Sequence, residues 1–195
     1  DKLKEISKIL TINLNNTIDY NRYPTAKTKL SNMRHRPIGI GVQGLANVFF
    51  ELKLPFTSDK AKEINKRIFE TIYYGALEQS MELARDRNIL FQELKKLNSD
   101  FSIDPNHREY QFDMWGVSVS NDLHDWDTLK ENIKKYGIRN SLLCAPMPTA
   151  STSQILNNYE CFEPILTNIY SRRVLAGDYI VINNYMVNDL KLLII

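Results

Sequence analysis

Apolar positions along the chain fall at helical spacing in its first half and in shorter, denser runs in its second. Leu3, Ile6, Leu10, Leu14 and the Thr17-Ile18 pair recur at steps of three and four. That spacing predicts an amphipathic helix from about Lys2 to Tyr20, closed before Pro24. A polar link follows to about Arg36. Residues 36–42 (RPIGIGV) read as a short strand or extended piece, and a helix over about 43–52 stops before Pro55. Ser58 is a good N-cap for a long helix over about 59–87. Its row Ile64, Ile68, Ile72 and Ala76, with Phe69, Tyr73, Leu77 and Ala84 beside it, is wide enough to require deep packing on one side.

Further along, residues 98–109 read as a loop carrying Asp104-Pro105-Asn106. Asp125 or Asp127 can cap a helix over 128–136, and Gly137 suits the position after its end. Residues 138–145 read as a buried strand ending at Pro146, residues 149–153 as the start of a short helix, and residues 174–182 as another strand around Gly177-Asp178. The expected class is α/β and helix-rich, one piece over 1–195 without an internal domain boundary. Its strands are too few to close a sheet or barrel alone.

Composition narrows this only slightly. The chain has 195 residues, 43% hydrophobic and 25% charged, enough for one soluble domain with a real core. A net charge of +2 with mixed signs argues against a dedicated nucleic-acid binder. No apolar run approaches the ~20 residues that span a bilayer. The charged start lacks a signal-peptide core, so a cytoplasmic protein is the default. The chain opens inside a helical pattern without Met and stops at Leu192-Leu193-Ile194-Ile195 without a cap, and it therefore reads as an excerpt. Cys144 and Cys161 form no Cys-x-x-Cys pair and His35, His107 and His124 do not cluster near them, which argues against a zinc site. Cys144, in the run Leu142-Leu143-Cys144-Ala145, reads as a buried small hydrophobe. The three histidines read as surface or packing residues.

The strongest local signal is the stretch 140–154 (NSLLCAPMPTASTSQ). A hydrophobic run meets two prolines, which fix the entry angle, and then a hydroxyl-rich cluster of small residues, Thr149, Ala150, Ser151, Thr152 and Ser153. Such residues cap helices, and the free N–H groups of a first helical turn attract anions. Small side chains let a phosphate approach the backbone. Taken alone, these residues favour an ordinary helix cap over an anion site. Gly39-x-Gly41-x-x-Gly44 matches a dinucleotide fingerprint only formally, because no second βαβ unit with an acidic ribose ligand follows. It is better explained as a tight extended-to-helix connection.

The stretch resembles the phosphate-binding turn of ribonucleotide reductase large subunits, whose eukaryotic-type pattern Ala-Pro-Met-Pro-Thr-Ala-Ser-Thr stands intact at 145–152. Other blocks resemble the family in the same order: residues 34–46 (RHRPIGIGVQGLA), 68–78 (IFETIYYGALE), 113–115 (DMW), 135–143 (KYGIRNSLL), 168–170 (NIY) and 172–175 (RRVL). Residues 86–110 show no recognisable family pattern.

The resemblance implies that this is part of the later half of the family's ten-stranded α/β barrel, from a class I enzyme that reduces ribonucleoside diphosphates to deoxyribonucleoside diphosphates by thiyl-radical chemistry. It implies that Thr149, Ala150, Ser151 and Thr152 contact the substrate diphosphate and that Pro148 lies against the substrate pocket. The parent further implies a thiol reductant of thioredoxin or glutaredoxin type, nucleotide allosteric effectors, a large-subunit homodimer, and a small radical-generating subunit that holds a metal site. No metal site and no catalytic residue are carried to this chain itself. The family's Asn-x-Cys-x-Glu motif is not matched around Cys161, where Tyr159 stands two residues before, and no redox role is carried to Cys144 or Cys161. Tyr73-Tyr74 sits mid-helix and reads as packing rather than as the family's tyrosine relay. Arg172-Arg173 can add positive potential near a phosphate or form structural ion pairs. The chain alone is expected to show no turnover, and to be weakly stable or self-associating. A non-catalytic nucleotide-binding module, and a helical interaction domain with an exposed stripe on 58–87, remain competing classes.

Overall fold

The computed structural model describes residues 2–95, 110, 112 and 115–193. The expected loop at 98–109 and His107 lie outside the described residues. The rest divides into two compact units: Asp1–Gly41 with Asn65–Pro146, and Val42–Ile64 with Met147–Ile195.

The first unit is built on three helices: α1 (Lys2–Tyr20), α2 (Ala26–His35) and the greater part of α4 (Asp59–Lys95). Ile72, Ala76, Leu77, Met81 and Ala84 of α4 are buried, together with Ile18, Ile38, Ile40, Phe112, Trp126, Leu129, Ile133 and Leu143. The α4 stripe is therefore covered, and the interaction-domain class loses the exposed face it required. Against α1 the approach is close: a Cβ on Gly75 would stand 2.8 Å from the Lys4 carbonyl oxygen, so only glycine fits there. Lys4 and Lys8 of α1 bridge to Glu78, and Lys8 also to Glu82, at 2.8–3.1 Å.

Of the expected apolar row of α1, only Ile18 is buried. The buried residues of the helix are Ser7, Thr11, Asn15 and Ile18, while Leu3, Ile6 and Leu10 are exposed. The cause is a polar core formed by residues far apart in sequence. Asn140, 1% exposed, donates to the Arg36 carbonyl oxygen at 2.8 Å and accepts from Asn15 and Ser80 at 3.0 Å. The Arg36 guanidinium, equally buried, donates to the Asn15 side-chain and main-chain oxygens at 2.9 and 2.7 Å. It also clasps the Asp19 carboxylate at 2.6 and 2.8 Å. Buried polar groups cost little when each finds a partner, and here every buried side-chain N or O among the described residues has one.

Helix α2 lies inside the expected polar link. It buries no residue, so it has no apolar stripe to betray it. Its signal is the Thr25 cap, whose hydroxyl accepts from the Thr28 N–H in a reciprocal capping box. Arg36 ends it in the left-handed region, φ 46°. Helix α5 (Trp126–Tyr136) starts two residues earlier than expected, capped by Asp125 at 3.0 Å from the Thr128 N–H and closed at Gly137, φ 76°. Residues 138–145 do not form the expected strand. Their ladder is one parallel bridge, Ile40 with Cys144, flanked by bonds from Ile38 and Ile40 to the Leu142 and Leu143 carbonyls at 3.0 and 2.8 Å. Asn140 is committed to the polar core, and Leu142 is 58% exposed, so neither the alternation nor the burial of a central strand is met.

In the second unit, α3 (Leu45–Glu51) starts at Gly44, φ 79°, where a Cβ would meet the Asn158 side chain at 3.0 Å. Ser58 caps the start of α4, accepting from the Ala61 N–H at 3.2 Å. The strand expected over 174–182 is instead the second half of an antiparallel hairpin, β1 (Ile169–Val174) with β2 (Gly177–Ile182), in the register Ile169 to Ile182 and Val174 to Gly177. The chain reverses at Leu175-Ala176, and Gly177 supplies φ 135°. Helix α7 (Asn184–Leu193) follows, capped by Asn183. Its Tyr185 ring stacks on Phe50 of α3 at 5.3 Å, and its hydroxyl accepts from Asn47 at 3.1 Å. The family's complete barrel is not contained in these elements.

Candidate substrate-phosphate turn

Helix α6 (Ala150–Ile155) is a single short turn and a half, and its start is the stretch singled out in the sequence. Thr149 is the N-cap residue, yet its hydroxyl makes no capping bond to the helix. It donates instead to the Glu160 carbonyl oxygen at 3.4 Å. The Thr149 carbonyl is held by three donors: the Ser153 N–H at 2.8 Å, the Ser153 hydroxyl at 2.7 Å and the Thr152 hydroxyl at 3.2 Å. Ser153 is fully buried, so the turn is clamped from below. The first-turn N–H groups of Ala150, Ser151 and Thr152 have no acceptor within an α-helix by geometry. All three residues are exposed, as is Pro148, and Thr149 is half-buried. The five expected site residues thus share one turn, with four of them exposed and Thr149 half-buried.

The chain leaving α6 is fixed by its own contacts. The Asn158 N–H donates to the Ser153 carbonyl at 2.8 Å, and the Tyr159 N–H donates to the Asn47 side chain at 2.8 Å. Asn47 on α3 thereby positions the loop that carries Glu160. Arg172 on β1 reaches Glu160 Oε2 at 3.3 Å and the Ala150 carbonyl oxygen at 3.4 Å. Arg173 turns to Asp178 across the hairpin, at 3.0 and 3.2 Å. Of the two arginines seen in sequence, one stands at the turn and one does not. Asn47 and Glu160 had no part in the sequence reading of the turn, and Ser153 was named there only as one of the capping hydroxyls, not as the buried clamp.

The remaining candidates differ in their surroundings. Burial pushes the Cys144 thiol up to about 11, far from the reactive range. Cys161 is exposed. His124 stacks on Tyr74 at 4.5 Å with Nε2 3.1 Å from the Thr71 hydroxyl, and burial lowers its pKa. Tyr73 and Tyr74 pack around Trp126, with ring centroids 6.1 and 5.0 Å from it. The Tyr74 hydroxyl donates to the Asp125 carbonyl at 3.2 Å, and burial raises its pKa to about 12. His35 is exposed. Gly39 is tightly packed, since a Cβ there would stand 3.1 Å from that of Ala145. Among the described residues, no group of three or more His, Cys, Asp or Glu is placed to hold a metal ion, and no helix is long and apolar enough to cross a membrane.

Comparison with known proteins agrees with the family that the sequence blocks resemble. Residues 1–194 match the family model described as ribonucleotide reductase, barrel domain. The chain is 55% identical over 190 residues to the ribonucleoside-diphosphate reductase large subunit of Caenorhabditis elegans, covering 97% of this chain and 23% of that protein. It is 53% identical over 191 residues to the large chain of Cryptosporidium parvum and 52% identical over 190 residues to the large subunit of Arabidopsis thaliana. The chain spans between a fifth and a quarter of the length of these relatives. A match of this extent to the family model means that the chain belongs to the ribonucleotide reductase barrel-domain family.

Proposed function

We propose that this chain is a barrel segment of a ribonucleoside-diphosphate reductase large subunit, and that its contribution is to hold the substrate diphosphate on the turn at Thr149–Thr152. The observation that carries this is the uncapped start of α6: three exposed first-turn residues whose N–H groups lack helical acceptors, beside a threonine whose hydroxyl is turned away from the cap. A diphosphate supplies the acceptors that the turn lacks. Pro148 would lie against the substrate pocket.

The chemistry in this reading is positioning. Holding the diphosphate fixes the ribose against reacting groups elsewhere in the subunit, and well-placed reactants gain rate through orientation. The whole protein would act on ribonucleoside diphosphates in the cytoplasm, as a large-subunit homodimer with a small radical-generating partner. That partner would hold the metal, while a dithiol protein would supply electrons and nucleotides would act as allosteric effectors. The 195-residue chain by itself, with Cys144 half-buried and protonated at neutral pH, is expected to give no diphosphate reduction even with partner and reductant present.

Thr149→Glu with Ser151→Glu in the full-length large subunit tests the assignment. A carboxylate among the donors repels a phosphate and occupies its space. A sharp rise in KM for CDP is expected, and unchanged KM and kcat would refute the assignment.

A further inference from the structure

Arg172 and Glu160 are not explained by hairpin stability. Their side chains are 23% and 39% exposed, and ion pairs of that kind contribute little. Their placement is more informative. Arg172 Nη2 stands 3.4 Å from the carbonyl oxygen of Ala150, the first residue of α6. A trans peptide is planar, with its carbonyl and N–H pointing in opposite directions. The Ala150 carbonyl therefore belongs to the same rigid plate as the Ser151 N–H, one of the first-turn donors. The neighbouring plate, Thr149 carbonyl with Ala150 N–H, is already fixed by Ser153 and Thr152 at 2.7–3.2 Å. The second plate, besides the bond its carbonyl makes within the helix, takes Arg172 at 3.4 Å and the Ser153 hydroxyl at 3.5 Å.

We propose that Arg172 is a positioning residue for the phosphate turn: it orients the Ala150–Ser151 peptide from behind, so that the Ser151 N–H faces the substrate diphosphate, and Glu160 holds it there. This rests on the reading of the turn as a diphosphate site. A cation at the carbonyl end of the plate also polarises the N–H at its other end, strengthening it toward an anion. Glu160 serves twice. Its carboxylate holds Arg172, and its main-chain carbonyl takes the Thr149 hydroxyl, drawing that hydroxyl away from the first-turn N–H groups. Asn47 fixes the loop that delivers Glu160, through the adjacent Tyr159 N–H. Arg173, one residue along, makes its own pair with Asp178 and has no part in this.

The test is steady-state kinetics of the full-length reductase, with its small subunit, on CDP. Arg172→Gln should raise KM roughly three- to tenfold with kcat little changed, the effect of one misaligned hydrogen bond. Arg172→Lys should fall between Gln and wild type, and Glu160→Gln should raise KM by less. Arg173→Gln, which removes the same charge from the same hairpin, should leave KM unchanged. Should Arg172→Gln fold poorly, the order wild type, Lys and Glu160→Gln still decides the matter. An unchanged KM in Arg172→Gln, or equal effects of the Arg172 and Arg173 variants, overturns the proposal. Ser151→Glu separates the two levels. If it raises KM while Arg172→Gln does not, the turn stands and Arg172 is excluded; if it too is silent, the diphosphate reading falls and the proposal falls with it.

Discussion

The polar core of Arg36, Asn15, Asn140 and Ser80 and the turn at Thr149–Thr152 are built from the same kinds of group, and they solve opposite problems. In the first, every donor is matched inside the protein: Asn140 alone uses its amide, its carbonyl and its backbone N–H. In the second, the internal bonds converge on the Thr149 carbonyl, and the first-turn N–H groups have no acceptor within the helix. Satisfied polar groups fix a structure; unsatisfied but oriented ones are available to a ligand. The contrast separates scaffold from site more sharply than residue type does, since asparagines, serines and threonines serve in each.

The contrast can be broken most directly at Asn140. Asn140→Leu leaves the Asn15 amide, the Ser80 hydroxyl and the Arg36 carbonyl without their partner, and it should cost about 3 kcal/mol in urea unfolding of the 195-residue chain. A loss under 1 kcal/mol would mean that the core tolerates what the structure forbids. The turn should answer in the other sense. Ser151→Glu in the full-length subunit should raise KM for a ribonucleoside diphosphate by roughly 30-fold or more, about 2 kcal/mol of lost binding, while moving stability by less than about 0.5 kcal/mol.

The cysteines sharpen the same division. Cys144 sits at the bridge with Ile40, with its pKa raised by burial to about 11, whereas Cys161 is exposed. At pH 8, iodoacetamide with mass-spectrometric readout should label Cys161 well before Cys144, whose thiolate population is roughly a hundredfold below that of an ordinary thiol. Equal labelling would contradict the burial of that bridge.

The smallest effect concerns pH. Hydrogen bonds from Arg36, reinforced by its charge, hold the Asp19 carboxyl below its ordinary range, against a lesser opposing effect of burial. Folding then favours the charged form. Its contribution is complete above the unfolded value near ~4, and it is lost as pH falls through the lowered folded value. Because Asp19 is 49% exposed, solvent screens much of the pair. Asp19→Asn should flatten the acid limb of a stability–pH curve slightly, and an identical limb would show that Arg36 draws its support from Asn15 alone.

What could be read in the sequence follows from where each signal lies. Helix α5 was legible because its cap and its stop, Asp125 and Gly137, are local, within thirteen positions. The body of α4 was legible for the same reason, although it continues to Lys95. The face of α1 was not, because the partners of Asn15 are 21 and 125 residues away and nothing near it marks a polar core. The hairpin was half read: Gly177 was taken as strand interior when it is the first residue after the reversal, and Leu175-Ala176 carries no turn chemistry to announce it. The five residues of the turn were named from a family pattern, not from physics, since their hydroxyls suit any helix cap. Arg172 was seen in sequence only as one of two basic residues, and its contact with Ala150, like the roles of Glu160 and Asn47, depends on residues brought together by the fold.

The central claim is that the first-turn N–H groups of this turn hold a diphosphate rather than merely ending a helix. It is tested most directly by equilibrium binding of CDP and of cytidine to the full-length subunit, wild type against Ser151→Glu. The account predicts that CDP binding weakens by roughly 30-fold or more while cytidine binding is unchanged. Equal losses for the two ligands, or no loss for CDP, would contradict it.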